Sequence, residues 1–245
     1  MHLEQFYILP QNITGKTGYF LKEESHHIQH VLRKNTGDII TACDGEGSTY
    51  QFEITHFING HIHGKIRSSR RLLGEPVHDI TLAPAIIKPD RFDWLVEKSV
   101  EIGVKEIIPV ITELSVQTIP DSKQLRWNRI AISALKQCGR SYLPKINTPT
   151  TFQQVLNLFS QYTARYILYS ESEQSLHIEK DKETNPVKSK VLVLVGPESG
   201  FSENEINEAL ELGFKTISLG SRRLRSETAG IVALSLLLSH YGELD

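Results

Sequence analysis

The spacing of apolar positions changes once along the chain, close to residue 75. Before it, they fall in short β-prone runs, Ile39–Ala42, Thr49–Thr55 and His61–Ile66, separated by turn clusters at Asp44-Gly45-Glu46-Gly47 and Asn59-Gly60. Asn59-Gly60 between Phe57-Ile58 and His61-Ile62 predicts a two-residue hairpin. One short helix is expected over Ser25–Lys34, and polar, breaker-rich Ser68–Pro76 reads as a linker. Beyond it, apolar runs alternate with segments of helical period. Strands are predicted at Ile80–Ile87, Glu106–Ile111, Arg165–Tyr169, Val191–Val195 and Thr216–Leu219. Helices are predicted from Asp90, as cap, to Gly103, over Leu125–Cys138 and Phe152–Phe159, and in the two segments after Ser202 and Ser226. Such alternation predicts a mostly parallel sheet covered by helices. Glu171–Lys190, polar and holding Pro186, reads as an exposed excursion between strands.

The last fifty residues repeat one plan, strand, glycine loop, helix. Val191–Val195 is a continuous run rich in β-branched residues, as for a strand buried on both faces. After Gly196-Pro197, Ser202 and Glu205 are spaced as a capping box, with Phe201 and Ile206 placed as a hydrophobic staple. Gly213 is the expected stop of that helix. Thr216–Leu219 repeats the strand, Gly220-Ser221 the turn, and Ser226 is the expected N-cap of a helix reaching about His240. Neither loop contains G-x-x-x-x-G-K-[ST] or G-x-G-x-x-G, so the common phosphate and dinucleotide readings fail. The geometry of a ligand site at the ends of parallel strands remains.

Composition narrows the picture. The 245 residues are 39% hydrophobic and 23% charged, ordinary values for a globular protein with a substantial core. No run approaches the roughly 20 apolar residues of a membrane span, and the N-terminus does not read as a signal peptide. Only Cys43 and Cys138 are present, without metal spacing, which fits a reducing cytoplasm. The formal net charge of −2 does not advertise a nucleic-acid binder, and any such surface has to be a local basic patch. Residues 1–72 hold 8 Lys/Arg, 7 Asp/Glu and 7 of the 10 His, against 19 and 22 charges in the rest, so the N-terminal part is the more basic. His26, His27 and His30 form an H-H-x-x-H, but no third ligand or general base accompanies them. A polar helix face is the better reading, and no metal is expected.

GPESGFSENEI (Gly196–Ile206) and LGSRRLRSETA (Leu219–Ala229) resemble two signatures of the ribosomal RNA small subunit methyltransferase E family, of the SPOUT class. Lys88, Arg91, Lys98, Glu101 and Gly103 are similar to its K-x-x-R…K-x-x-E-x-G pattern. Arg126-Trp127, Gln137 and Arg140 match R-W…Q-x-x-R, and His27, Val31-Leu32-Arg33 and Gly37-Asp38 resemble its N-terminal module. Ser199 stands where the family has glycine, Leu114 where it usually has arginine, and Arg223 where it usually has an aliphatic residue.

The resemblance implies an α/β fold: a PUA-like RNA-binding β-barrel domain over 1–72 and a SPOUT domain over 73–245 with a parallel sheet and a deep trefoil knot. Sequence physics alone argues against a knot. It implies methylation of N3 of one uridine in the 16S ribosomal RNA of the small subunit, with S-adenosylmethionine (SAM) as cofactor, in the cytoplasm. The rivals are a SPOUT methyltransferase for another RNA site and a non-catalytic RNA-binding assembly factor. It places SAM on Leu168, Tyr169, Ser170, Gly196, Pro197, Glu198, Gly200, Leu219, Gly220, Arg222, Leu224, Thr228 and Ala229. RNA is placed on Arg33, Lys34, Lys88, Arg91, Arg140 and Arg222. Catalysis is expected from Arg225, stabilising a deprotonated uracil, with Glu198 and Glu227 as base or hydrogen-bond partners.

A homodimer is expected as well. The last helix carries Ala229, Ile231, Val232, Ala233, Leu234, Leu236, Leu237 and Leu238, a face too wide for one sheet to cover. The resemblance points the same way.

Overall fold

The computed structural model describes residues 4–115, 122–170 and 188–244. It resolves into two compact units. The first comprises Met1–Glu75 with Ala131–Leu143, the second Pro76–Ile130 with Pro144–Asp245. The return of Ala131–Leu143 to the first unit has no sequence signal.

In the first unit, strands β1 (Gln5–Tyr7), β2 (Ile13–Thr14), β3 (Thr17–Tyr19), β4 (Ile39–Cys43), β5 (Ser48–Ile58) and β6 (His61–Arg71) form one sheet in the order β1-β4-β5-β6-β3-β2. Only the β1–β4 pair is parallel. Asn59 and Gly60 both have positive φ, 50° and 80°, at the tip of the β5–β6 hairpin. The hairpin is longer than its apolar pattern: β6 continues through Ser68–Arg71, which the sequence assigned to a linker. Exposed strand residues need no alternation, so their polarity hid them. Inside the sheet lie Phe6, Ile8, Phe20, Ile28, Ile40, Ala42, Phe52, Ile54 and Ile62. The expected helix over 25–34 is α1 (Lys22–His26) followed by a wider π turn at His27–Val31. Burial pushes the Cys43 thiol up to about 12.

The second unit is a six-stranded, wholly parallel sheet. Its strands are β7 (Asp79–Pro84), β8 (Glu106–Ile107), β10 (Lys145–Ile146), β12 (Ala164–Leu168), β13 (Lys190–Val195) and β14 (Lys215–Ile217), in the order β10-β8-β7-β13-β12-β14. The short strands β9 (Val110–Ile111) and β11 (Thr150–Thr151) pair beside it. The single strand expected at Glu106–Ile111 is thus two pieces, with Ile108-Pro109 between; proline donates no ladder hydrogen bond.

Helices α2 (Pro89–Ile102), α3 (Ser122–Cys138), α4 (Phe152–Leu156), α5 (Glu203–Glu211) and α6 (Ser226–His240) complete the fold. Lys88 rather than Asp90 is the N-cap residue of α2, with Pro89 at the first helical position, where its missing N–H costs nothing. Gly103 ends α2 at φ 122°. Most of the expected excursion, 171–187, lies outside the described residues.

Candidate active site

β12, β13 and β14 end side by side, and the loops leaving their carboxyl ends enclose a cavity of about 420 Å³. Its walls are Leu168–Ser170 after β12, Val195–Gly200 after β13 and Ile217–Leu224 after β14, closed by Ser226 and Ala229 of α6. This is the crevice where open parallel sheets bind ligands, and its size suits a nucleoside-sized molecule.

Local chemistry shapes each wall. Gly200 (φ 81°) and Gly220 (φ 95°) occupy the left-handed region, and nothing lies within 4 Å of where a Cβ would be. Gly196 differs: a Cβ there would lie 3.2 Å from the Gly200 carbonyl carbon and the Phe201 ring, so its role is close packing. Ser199 has a negative φ, as an L residue in that place requires, and its hydroxyl donates to the Leu114 carbonyl, 3.3 Å. Two of the three departures from the family pattern, Ser199 and Leu114, therefore touch, through the Leu114 backbone.

Two loops are strapped together. The Ser226 hydroxyl donates to the Gly196 carbonyl at 2.6 Å, and Arg223 Nη2 donates to the Glu198 carbonyl at 3.0 Å. Ser226 is therefore not the side-chain cap of α6; the N-cap residue is Arg225, and no side chain caps that end. The expected cap elsewhere is present: Ser202 Oγ accepts from the Glu205 amide, and Glu205 accepts from the Ser202 amide at 3.0 Å. Glu205 also accepts from the amide of Glu113, 2.9 Å, fastening the turn after β9. Phe201 and Ile206 share the same core cluster, as the staple requires.

Of the residues assigned to the cofactor, Leu168, Tyr169, Ser170, Gly196, Pro197, Glu198, Gly200, Leu219, Gly220, Arg222, Leu224 and Ala229 line the cavity. Thr228 does not. Val195, Ser199, Ile217, Ser218, Ser221, Arg223 and Ser226 line it too and were not assigned; Ser199, Ser221, Arg223 and Ser226 lie within the two signatures, and Val195, Ile217 and Ser218 stand at the ends of β13 and β14.

Among the catalytic candidates only Glu198 lines the cavity. Arg225 is exposed between Leu224 and Ser226, which do. Glu227 is buried, with Oε2 unpartnered among the described residues and Oε1 3.7 Å from Arg91 Nε. Arg91 also pairs with Glu198, so one guanidinium spans both carboxylates.

The RNA candidates differ in exposure. Lys88 and Arg222 are exposed, Arg91 is half-buried in its ion pairs, and Arg33, at φ 55°, follows the helical turn with Lys34 beside it. Arg140 is corrected. Its side chain is 3% exposed and forms a two-pronged pair with Glu75, whose carboxylate also accepts from the amides of Ser141 and Tyr142. A buried, paired guanidinium fixes structure and offers nothing to a phosphate. Lys98 joins Glu101 and Glu97 on the surface of α2, and these carboxylates hold its ammonium pKa above the usual value.

The model for an RNA methyltransferase domain matches residues 74–238, and that for an RNA methyltransferase PUA domain matches 21–67. The chain belongs to the ribosomal RNA small subunit methyltransferase E family. Its relative of that name from Mesomycoplasma hyopneumoniae is 34% identical over 214 residues, 86% of this chain and 88% of the relative. The one from Bacillus subtilis is 30% identical over 222 residues, 88% and 87%. The crystal structure of the Neisseria gonorrhoeae member, solved with bound S-adenosyl methionine, is 31% identical and superposes with a TM-score of 0.85, covering 97% of this chain and 98% of that one.

Proposed function

We propose that this chain transfers the methyl group of SAM to N3 of one uridine in the 16S RNA of the small ribosomal subunit. The observation that carries the reading is the three-loop cavity, in a chain like a SAM-bound family member over nearly its whole length. SAM supplies an electrophilic methyl on a sulfonium. The chain's own task is to hold it, align the uracil and manage one proton.

The open faces at Gly200 and Gly220 leave room for an adenosine against the backbone. Arg225, beside the cavity wall, would hold the uracil as its N3–H is lost. Arg222, exposed on the same loop, would take a phosphate. Glu198 is the candidate proton acceptor at the cavity, restrained by Arg91. Glu227 sits behind it and would act by holding Arg91. The trefoil threading and assignment of the 1–72 region to RNA binding belong to the same reading, supported by family membership.

A homodimer is part of it. α6 packs on β7, β13 and α2, yet Ile231 and Val232 remain half-buried and Leu236 is 41% exposed. A second copy would cover them. Action in the cytoplasm is proposed on the substrate's account; among the described residues no helix is long and apolar enough to cross a membrane.

Mass spectrometry of 16S nucleosides from a deletion strain, with and without complementation, tests the activity. Complementation should restore N3-methyluridine, and an unchanged nucleoside profile would refute it. Arg225→Ala should lower kcat about a hundredfold or more, with SAM affinity held. Near-normal turnover at saturating RNA would remove Arg225 from the chemistry.

A further inference from the structure

The first unit holds a surface that the sequence did not single out. Strand β6 reads His61-Ile62-His63-Gly64-Lys65-Ile66-Arg67-Ser68-Ser69-Arg70-Arg71, with four Lys/Arg, two His and no acid. Ile62 and Gly64 face the core, whereas Lys65 and Arg67–Arg71 are exposed along a strand about 35 Å long. Among the described residues, neither Lys65 nor Arg70 has an ion-pair partner. The acid opposite, Glu53 of β5, is neutralised by Arg67.

At the hairpin end of this basic strand the side chains form a ring stack. His63 lies between His56 of β5 (centroids 5.0 Å apart, planes 7° apart) and Tyr19 of β3 (5.4 Å, 25°). His61 meets Tyr19 edge-on at 5.8 Å and is fixed by a 2.8 Å hydrogen bond between its Nδ1 and the Phe20 carbonyl. His56 is exposed, with Nδ1 2.9 Å from the Thr55 hydroxyl. Both faces of His63 are thus covered, and the stack ends in the outer face of His56. A basic track ending in a preformed stack of flat rings is the arrangement that binds single-stranded nucleic acid, phosphates along the charges and a base on the terminal ring.

We propose that the outer face of β3, β5 and β6 is a single-stranded RNA site, in which Lys65 and Arg70 track the phosphates and a base stacks on His56. The proposal rests on the reading of the chain as an rRNA enzyme, and it places RNA on the sheet rather than on Arg33 and Lys34. It accounts for how a chain of net charge −2 presents a basic patch: β6 concentrates four cations on one strand.

The test is fluorescence anisotropy of a short labelled single-stranded oligoribonucleotide with the full chain, at several salt concentrations, beside calorimetry with SAM. His56→Ala should weaken RNA binding about tenfold with little change in salt dependence, and His56→Phe should restore it. Lys65→Ala/Arg70→Ala should weaken binding and make the salt slope shallower by about 1.4. SAM affinity should hold in all three. Wild-type RNA affinity in both the His56→Ala and the double variant overturns the surface. So does loss confined to Arg33→Ala/Lys34→Ala, which would return RNA to the helix end. A wild-type chain that binds SAM but no RNA overturns the rRNA reading beneath the proposal as well.

Discussion

The two strand–loop–helix modules at the end of the chain share a plan and differ in what holds them. β13 lies inside the sheet, between β7 and β12, and its helix starts on its own capping box. β14 is a three-residue edge strand, and α6 starts with no side-chain cap. The serine in position to cap α6 instead donates to Gly196, in the other module's loop. Helix α5 buries one face, with Ile206 and Ala209 inside and Leu210 45% exposed; α6 is apolar nearly all round. The first module is thus specified by neighbouring residues, the second by tertiary contacts. The loop that carries Arg222, Arg223 and Arg225 depends on its partner loop for its shape.

The sharpest way to break this contrast is at the glycines. Gly220→Val should reduce SAM affinity at least a hundredfold in a folded chain, because a β-branched residue at φ 95° must rebuild the loop. Gly200→Val, at φ 81°, should act in the same direction but less, since its turn is also tied by the 2.9 Å bond from its amide to the Pro197 carbonyl. Calorimetry with SAM ranks the two, and a larger loss at Gly200 would reverse the comparison.

Next come the helices. Leu236→Glu should weaken self-association more than tenfold by sedimentation equilibrium, because it buries a charge in the proposed interface. Leu210→Glu, equally exposed on α5, should leave the mass unchanged. A wild-type monomer with full activity would remove the dimer altogether.

The smallest effects separate the serines. Ser226→Ala should cost about 1–3 kcal/mol in denaturant unfolding and weaken SAM binding, since the Gly196 carbonyl loses its donor. Ser202→Ala should cost about 1 kcal/mol with SAM binding unchanged. Equal effects on SAM would mean that the strap does not shape the cavity.

The same contrast explains what could be read from the chain. The capping box, the Gly213 stop (φ 78°) and the Asn59-Gly60 hairpin are fixed by residues a few places apart, so spacing revealed them. Ser226 reads as a cap because a serine hydroxyl before a helix can accept from a helix amide, and only the fold brings the Gly196 carbonyl, 30 residues away, within reach for it to donate to instead. Arg140 departs from its expectation for the same reason: Glu75 is 65 residues distant and invisible to any local pattern. The cavity's walls were largely legible through family motifs. The ring stack on β3, β5 and β6 was not, because its members come from three strands.

The central ladder of the second unit pairs β7 with β13, from Asp79↔Lys190 to Pro84↔Val195. On a ribosome, β7 would emerge from the exit tunnel long before its partner had been synthesised. That seam, and with it the floor of the cavity, can close only after Val195 is free, so the second unit must complete its sheet late. Such long-separation pairing slows folding, because the intervening loop must close before contact is rewarded. The first unit's β5–β6 hairpin needs only its own residues and can form while the rest is still being made.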